Sequence, residues 1–164
     1  MIKVGATLPD VLVCTASSKG LVQVRTSDLF SGKRAVLFSV PGAFTPTCSA
    51  KHLPGYIEKG EAFRGRGVEV LACLSTNDGF VMRAWEEQSG ADGTVIMIAD
   101  GNGDLVKAMG LEVDQSGHGM GWRAQRAALV LEDCVVTCLF VEPKGGFGVS
   151  SADNVLAHID DFYI

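Results

Sequence analysis

The chain alternates short apolar runs with segments of helical periodicity, and this alternation restricts the folds that it can adopt. Residues 36–40 (VLFSV) and 68–74 (VEVLACL) are rich in β-branched and apolar side chains, which predicts two buried strands. Between them, apolar side chains three and four positions apart predict a helix over residues 48–64, with a kink or an early break at Pro54-Gly55. A strand, a helix and a strand in this order predict one β-α-β unit with parallel strands.

The same alternation continues to the end of the chain. It predicts a helix over 77–90, a strand over 95–99, a short helix over 105–109, a hairpin of strands 127–131 and 135–141 that turns at Glu132-Asp133, and a last helix that begins after 150–151. Parallel units followed by an antiparallel hairpin and a helix predict an α/β, thioredoxin-like fold, with a mixed central β-sheet flanked by helices on both faces. The length of 164 residues fits one domain, and we expect residues 1–164 to form it.

Composition and charge narrow the possible partners. Hydrophobic residues make up 47% of the chain and charged residues 20%, which supports a packed core and excludes intrinsic disorder. A net charge of -5 gives no basic surface for a phosphate backbone, so we expect no nucleic-acid partner. The longest apolar stretch, residues 35–44, is about half of what a bilayer requires, and the N-terminus lacks a secretory pattern. We therefore expect no membrane partner and a cytoplasmic location, or an organellar one if a targeting extension has been removed.

The five cysteines stand at irregular spacings and are odd in number, which is typical of free thiols in a reducing compartment. Cys48 follows the strand 36–40 and starts the predicted helix, where free backbone amides and the helix dipole favour a thiolate. Thr45 is placed to orient that thiolate with its hydroxyl, and Pro41 and Pro46 stiffen the loop that holds both residues. Thiol–disulfide oxidoreductases of this fold carry a second cysteine at the position of Thr45, so ordinary disulfide exchange is disfavoured. The other interpretation of Cys48 is a small buried thiol at a helix start.

The residues around Cys48 form a distinctive segment, since 41–49 read PGAFTPTCS and 52–55 read HLPG. Further along, 70–78 read VLACLSTND and 149–153 read VSSAD. Together these segments resemble the type II peroxiredoxins, the peroxiredoxin 5 class, and the VSSAD ending is similar to that of the plant-like subgroup. The resemblance implies a thiol-dependent peroxidase that reduces hydrogen peroxide and alkyl hydroperoxides in antioxidant defence, without a metal, flavin or haem cofactor.

The resemblance also implies a role for each of four side chains. Cys48 would be the peroxidatic cysteine, Thr45 would hydrogen-bond its thiolate and the bound peroxide, and Pro41 would shield the sulfur from solvent. The arginine of the family falls on Arg126, whose guanidinium would stabilise the thiolate and polarise the O–O bond. Arg123, three residues earlier, is the competing candidate. Attack of the thiolate on a peroxide oxygen would give a sulfenic acid and release water or an alcohol.

Two routes remain open for returning the oxidised cysteine to its thiol. Cys73 follows Cys48 at the spacing of a second cysteine in plant-like members, yet it stands in an apolar strand, where inert core thiols are common. One hypothesis is a Cys48–Cys73 disulfide, which requires the first helical turn to unwind, because the two Cα atoms must come within about 7 Å. The other is direct attack by glutathione followed by glutaredoxin, with Cys73 as a bystander. Thioredoxin is the further candidate for the external reductant.

The remaining cysteines and the histidine near Cys48 give no metal-site pattern. Cys134 and Cys138 would lie about 13 Å apart on one face of a strand, too far for one tetrahedral metal, so we interpret both as packing residues. Cys134 also stands where a tight turn prefers glycine, which predicts local strain or a wider turn. Cys14 has no evident partner. His52 lacks two further ligands for a metal, and we interpret it as a structural hydrogen-bonding residue.

Three aromatic side chains and a glycine-rich segment allow two interpretations. Phe44, Phe80 and Trp85 are most simply core residues. The resemblance implies instead that Phe44 and Phe80 lie in the symmetric interface of a homodimer, around the active-site loops. Residues 116–121 neither follow a clear strand nor open a helix, and we interpret them as a mobile border of the active site.

Two other functions compete with the peroxidase. A peroxide sensor would pass the oxidation of Cys48 to a partner protein without multiple turnover. A thioredoxin-type disulfide reductase would need a second cysteine where Thr45 stands. We rank the peroxidase first, the sensor second and the reductase third.

Overall fold

The computed structural model describes residues 1–161, which form one seven-stranded sheet, a separate two-stranded ribbon and the helices that cover them. The strands are β1 (Leu12–Ser17), β2 (Gly20–Arg25), β3 (Arg34–Ser39), β4 (Val70–Ser75), β5 (Ile96–Ala99), β6 (Glu112–Asp114), β7 (Trp122–Ala124), β8 (Ala127–Glu132) and β9 (Val135–Val141). The helices are α1 (Thr26–Phe30), α2 (Leu53–Glu58), α3 (Gly60–Gly65), α4 (Gly79–Ser89), α5 (Asp104–Met109) and α6 (Ala152–His158), with a π-helical segment at Cys48–His52 and a 3-10 turn at Ser116–His118. None of the helices in this described part is long and apolar enough to cross a membrane.

The large sheet has the strand order β2-β1-β5-β4-β3-β8-β9 and contains both pairing directions. Strands β3, β4 and β5 run parallel to one another, whereas β8 pairs antiparallel with β3 and β1 pairs antiparallel with β5. Strand β4 is buried along its whole length because it lies at the centre of the sheet with both faces covered. The predicted mixed sheet and thioredoxin-like α/β fold are confirmed.

Two apolar cores cover opposite faces of the sheet. Neighbouring residues of β3 point to opposite faces, so Phe38 belongs to the core beneath α2, α3, α4 and α6, and Leu37 to the core beneath α1 and α5. In the first core, Tyr56 stacks on Phe38 with ring centroids 3.9 Å apart. Cys48 and Cys73 both belong to this first core. The face covered by α2 therefore carries the residues that the sequence singled out.

The sequence pattern predicts no element before residue 36 and no ribbon near residue 116. The structure places a β1–β2 hairpin and the short helix α1 in the first region, and pairs β6 with β7 in the second. Strand β2 is an edge strand without a fully buried residue, so its sequence lacks a clean apolar alternation. Strands β6 and β7 have three residues each, which is too short to give a periodic signal.

The predicted helix over 48–64 is divided into three pieces. Its irregularity lies just before Pro54, where the amide of Leu53 donates to the carbonyl of Cys48 in a wide π turn. Proline has no amide hydrogen, and a wider turn in front of it accommodates the bond that an α-helix would lack. The chain then stays helical through Pro54 and Gly55, and the break falls at Lys59. The kink was therefore predicted a few residues from its true position.

The turn between β8 and β9 is tight and strained. Asp133 and Cys134 have φ values of 47° and 67°, and the register pairs Glu132 with Val135 directly. This is the two-residue turn for which glycine is usual, shifted by one residue from the predicted turn at Glu132-Asp133. The Asp133 carboxylate accepts a hydrogen bond of 2.6 Å from the amide of Gly32, which holds the turn.

Candidate active site

Cys48 lies beyond the carboxyl end of β3, where the chain turns into a helix. The helix begins at Pro46, two residues before the predicted start, and the amide of Ser49 donates to the carbonyl oxygen of Thr45 over 2.9 Å. The thiol is fully buried. Cys48 therefore occupies the first turn of a helix at the end of a central strand, in a site from which water is excluded.

Arg126, directly before β8, contacts the sulfur. Its guanidinium donates from Nη2 to Sγ of Cys48 over 3.1 Å and from Nη1 to Nδ1 of His52 over 2.8 Å. Arg123 donates instead to the carbonyl oxygens of Met120 and Pro41. Of the two candidate arginines, Arg126 is the one that the structure brings to Cys48. A guanidinium is a permanent cation, so it favours a negative charge on the sulfur.

His52 is held between Arg126 and the carbonyl oxygen of Ser150, which lies 3.1 Å from Nε2. Burial, and then the charge of Arg126, lower the pKa of His52 from 6.5 to about 3. The imidazole is therefore neutral at physiological pH and acts as a hydrogen-bonding bridge, in keeping with its interpretation from the sequence. The ring of Phe147 covers it edge-on, with ring centroids 5.2 Å apart.

Thr45 and Pro41 belong to the loop in front of Cys48. The Thr45 hydroxyl donates its single hydrogen to the carbonyl oxygen of Gly42 over 2.8 Å, so the hydrogen bond to Cys48 that was expected from the sequence is not made here. Pro41 lines a cavity of about 290 Å³ together with Thr47 and Arg126. Gly42 is tightly enclosed, since a Cβ at this position would approach Thr45, Met120 and Arg123 to 3.2 Å.

The glycine-rich segment borders this loop. Met120, at its end, is one of the residues that close over Gly42, and Arg123 follows it. The segment connects β6 to β7 and contains the 3-10 turn Ser116–His118. Its position at the edge of the site agrees with the interpretation from the sequence, and its mobility stays a prediction.

Cys73 lies inside β4, between Phe38 of β3 and Met97 of β5. It is fully buried, and this burial, followed by the proximity of Cys48, raises the pKa of its thiol well above the usual range. The thiolate of Cys73 is therefore scarce while the strand stays folded. Any reaction of Cys73 with Cys48 requires part of this core to open.

The other cysteines pack in three separate places. Cys138 is buried, and its single S–H hydrogen has two carbonyl oxygens within reach, those of Asp161 (3.3 Å) and His158 (3.6 Å). Cys134 packs against the core beneath α1 and α5. Cys14 of β1 is partly buried against the opposite core. Over residues 1–161, no three His, Cys, Asp or Glu side chains come together in a way that could hold a metal ion.

The aromatic residues divide between core and surface. Trp85 is fully buried, and its Nε1 donates to the hydroxyl of Ser49 over 3.1 Å, beneath the start of the helix. Phe44 is 48% exposed and Phe80 is 77% exposed, so the core interpretation is wrong for both. Phe44 has a φ of 63°, a left-handed conformation that is rare for a bulky side chain, in the loop before Cys48.

Two residues behind His52, Glu142 and Ser150, were not assigned a role from the sequence. The Glu142 carboxylate accepts hydrogen bonds from the amide and hydroxyl of Ser150, and the Ser150 carbonyl accepts from His52 and Tyr56. The only indication was the VSSAD segment, which resembled a family ending without assigning a role to Ser150. No spacing pattern connects residues this far apart in the chain.

The sequence and structure are similar to those of known proteins. The Redoxin family model matches residues 3–156. Peroxiredoxin-2E-2, chloroplastic, from Oryza sativa subsp. japonica is 47% identical over 160 residues, which cover 94% of this chain and 71% of the relative. Peroxiredoxin-2B from Arabidopsis thaliana is 44% identical over 156 residues, covering 94% and 96%. The crystal structure of reduced Prx3 in complex with hydrogen peroxide from Vibrio vulnificus superposes with a TM-score of 0.93 at 45% identity, covering 98% of this chain and all of that one.

The chain belongs to the Redoxin family and is a peroxiredoxin, a thiol-dependent peroxidase of antioxidant defence. Within that class it is a type II peroxiredoxin of the plant-like group, as the resemblances of residues 41–55 and 149–153 implied. Its substrates are accordingly peroxides, and its reducing partners are thiols.

Proposed function

We propose that Cys48 is the peroxidatic cysteine. The observation that carries the proposal is the 3.1 Å contact between Arg126 Nη2 and Cys48 Sγ in a buried site. The Cys48 thiolate attacks one peroxide oxygen, so that an S–O bond forms while the O–O bond breaks. The sulfur loses two electrons and becomes a sulfenic acid. The second oxygen leaves as hydroxide or alkoxide and takes up a proton, which gives water or an alcohol.

Three neighbours assist this step in our proposal. Arg126 stabilises the thiolate and the charge that develops on the leaving oxygen. Because the Thr45 hydroxyl gives its hydrogen to Gly42, its free lone pairs accept a hydrogen bond from the peroxide O–H and orient it for attack. Pro41, at the rim of the cavity beside Arg126, keeps bulk water from the sulfur.

The proposed substrates are hydrogen peroxide and alkyl hydroperoxides. The cavity beside Arg126 has a volume of about 290 Å³, and Val113, Ala124 and Pro143 contribute apolar surface to it. Such a space accommodates a small organic group next to the peroxide. The Vibrio vulnificus relative was solved with hydrogen peroxide, which supports the smaller substrate.

The proposed reductants are glutathione with glutaredoxin, or thioredoxin, and the two routes differ in the role of Cys73. In the first route Cys73 attacks the Cys48 sulfenic acid and forms an internal disulfide. In the second route glutathione attacks directly. Both sulfur atoms are fully buried, so each route requires the helical turn at Cys48 to open.

Substitution of the two cysteines tests the function and separates the routes. Peroxide consumption is measured for the wild-type protein, Cys48→Ser, Cys73→Ser and Cys73→Ala, with either reductant system. Cys48→Ser abolishes consumption under this proposal, and a fully active Cys48→Ser would overturn it. Unchanged turnover of both Cys73 variants with glutathione and glutaredoxin eliminates the obligatory disulfide. Consumption that stops after one equivalent in the presence of reductant would favour the sensor.

We further propose a homodimer in which each copy of residues 1–164 acts as a single domain. Three large apolar side chains near the active-site loops are exposed, Phe44 by 48%, Phe80 by 77% and Trp122 by 60%, and they offer a surface for a second copy. The mass in solution tests this, since a monomer mass that does not change on dilution would contradict it.

We also propose a cytoplasmic location. Because the rice relative is chloroplastic, fractionation of the source cells is the test of this location.

A further inference from the structure

A buried carboxylate lies behind the active site. Glu142, directly after β9, is only 4% exposed. Its Oε2 accepts hydrogen bonds from the amide of Gly148 (2.7 Å) and from the amide and hydroxyl of Ser150 (2.8 and 2.6 Å). Burial acts to raise the pKa of Glu142, but these hydrogen bonds outweigh it and lower the pKa. The side chain is therefore a charged anchor for residues 148–150.

The anchored segment presents one carbonyl to the site. The carbonyl oxygen of Ser150 accepts a hydrogen bond from the hydroxyl of Tyr56 over 2.7 Å and lies 3.1 Å from Nε2 of His52. A carbonyl only accepts hydrogen bonds, so Nε2 must carry the imidazole hydrogen. The guanidinium of Arg126 only donates, so Nδ1 must present a lone pair to it. The partners of His52 thus fix both its tautomer and the orientation of its ring.

Glu142 also fixes the backbone at Arg126. Its amide donates to the carbonyl oxygen of Arg126 over 3.0 Å, and its own carbonyl accepts from the side chain of Gln125 over 3.2 Å. Glu142 therefore holds the backbone of Arg126 directly, and it holds the side chain of Arg126 indirectly, through Ser150 and His52. Arg126 is thus fixed both at its backbone and at its guanidinium, so that Nη2 points to the sulfur in one orientation. A donor that is already oriented stabilises a transition state without reorganisation.

We propose that Glu142 is a positioning residue for peroxide reduction: its carboxylate holds Ser150, whose carbonyl orients His52, and His52 aims Arg126 at Cys48. This inference rests on the proposed roles of Cys48 and Arg126. Without the carboxylate, the 148–150 segment loses three hydrogen bonds, the His52 ring loses a fixed partner, and Arg126 samples orientations that do not reach the sulfur. A displacement of about 1 Å at a reacting centre lowers rates by about 10²-fold.

The test is a double-mutant cycle between Glu142 and Arg126. The rate constant for oxidation of Cys48 by hydrogen peroxide is measured for Glu142→Ala alone and in combination with Arg126→Gln. We expect Glu142→Ala to lower the rate about 10- to 100-fold in the wild-type background and less than about twofold in the Arg126→Gln background, because the effect passes through Arg126. Equal losses in both backgrounds, or no loss in the wild-type background, would overturn the proposal.

Further variants separate positioning from general destabilisation. Glu142→Gln keeps an acceptor oxygen for the Ser150 amide, so we expect it to retain most of the rate. Glu142→Met has a similar size but no acceptor oxygen, and it takes the place of Glu142→Ala in the cycle if that variant does not fold. Glu86→Gln changes a buried carboxylate on α4 outside the site and leaves the rate within about twofold of wild type.

The histidine itself provides an independent arm. In His52→Asn the amide oxygen replaces Nδ1 as the acceptor for Arg126, while the donor to Ser150 is lost. The inference predicts a loss of about tenfold, with no further loss when Glu142→Ala is added. An additional loss in that double variant shows that Glu142 acts by another path. Failure of the proposed function itself is distinct, since the wild-type protein would then show no oxidation that depends on Cys48.

Discussion

Arg126 reaches Cys48 across two paired strands, with its Nη2 3.1 Å from Sγ. The register of β3 and β8 pairs Ser39 with Ala127. Arg126, directly before β8, therefore lies at the edge of the sheet where the chain leaves β3 toward the helix of Cys48. The antiparallel ladder therefore sets the distance between the cation and the sulfur. Arg126 lies one residue before β8 and Cys48 lies in the helical segment that follows β3, so the two side chains meet beyond the ends of the paired strands.

Removing the guanidinium should be the most damaging single change apart from loss of the thiol. We expect Arg126→Gln to lower the rate constant for peroxide reduction about 10²- to 10³-fold, since one preorganised donor to a developing charge has an effect of this size. Arg126→Lys keeps the charge but lacks the planar fork that contacts Cys48 and His52 together. We therefore expect its rate constant to lie between those of the wild-type protein and Arg126→Gln. Rapid-mixing kinetics check both values. A smaller loss for Arg126→Gln than for Arg123→Gln would assign the role to Arg123.

The Thr45 hydroxyl is expected to act through its oxygen. Thr45→Val has nearly the same shape but removes the bond to Gly42 and the acceptor for the peroxide, so we expect the rate constant to fall at least about tenfold. Thr45→Ser retains both functions and should remain within a few-fold of wild type. Steady-state kinetics with saturating reductant measure the two variants. Equal activity of the valine and serine variants would contradict a role for the hydroxyl.

The neutral state of His52 makes stability depend on pH. The pKa of His52 is about 3 in the folded protein and 6.5 in the unfolded chain, so the unfolded chain binds more protons between these values. The folded state therefore loses about 1.4 kcal/mol for each pH unit below 6.5, and this loss ends near pH 3. Urea unfolding at pH 7 and pH 5 tests this against His52→Gln, which lacks the titrating ring. We expect the wild-type protein to lose about 2 kcal/mol more than the variant, and an equal loss would contradict a depressed pKa.

Glycine at position 134, in the β8–β9 turn, should stabilise the folded protein. Cys134 has a φ of 67°, a conformation that costs an L-residue about 1–2 kcal/mol and costs glycine far less. Cys134→Gly is therefore expected to raise the free energy of unfolding by up to about 1 kcal/mol, after the entropy of glycine in the unfolded chain is included. Thermal and urea unfolding measure the change, with Cys134→Ala as the control that retains a Cβ. A glycine variant no more stable than the alanine variant would contradict strain at this position.

Local patterns in the sequence were sufficient for the parallel centre of the sheet and for the ends of α4. Asp78 caps α4 through the amide of Val81, and Gly90 ends it in a left-handed conformation, as their residue types predict. Cys48 was also located by local signals, because a strand, a proline-containing loop and a helix follow one another in the chain. The edge hairpin of β1 and β2 had no such signal, since its residues are only partly buried.

Contacts between distant parts of the chain could not be predicted from the sequence pattern. His52 and Ser150 lie on different elements, and only the folded chain shows that a carbonyl fixes the tautomer of the imidazole. Likewise, the donation of the Thr45 hydroxyl to Gly42 depends on the shape of the loop and not on the spacing of Thr45 and Cys48. Phe44 and Phe80 were misassigned to the core because residue type alone does not distinguish a core aromatic from an exposed one.

Mass spectrometry after one equivalent of hydrogen peroxide shows which of the five cysteines reacts. The intact masses and the non-reduced peptides of the wild-type protein and Cys48→Ser are compared, with and without glutathione. We predict oxidation confined to Cys48, seen as a sulfenic acid, its glutathione adduct or a disulfide with Cys73, and none of these products in Cys48→Ser. Oxidation of another cysteine at the same rate in both proteins, with Cys48 still reduced in the wild type, would contradict it.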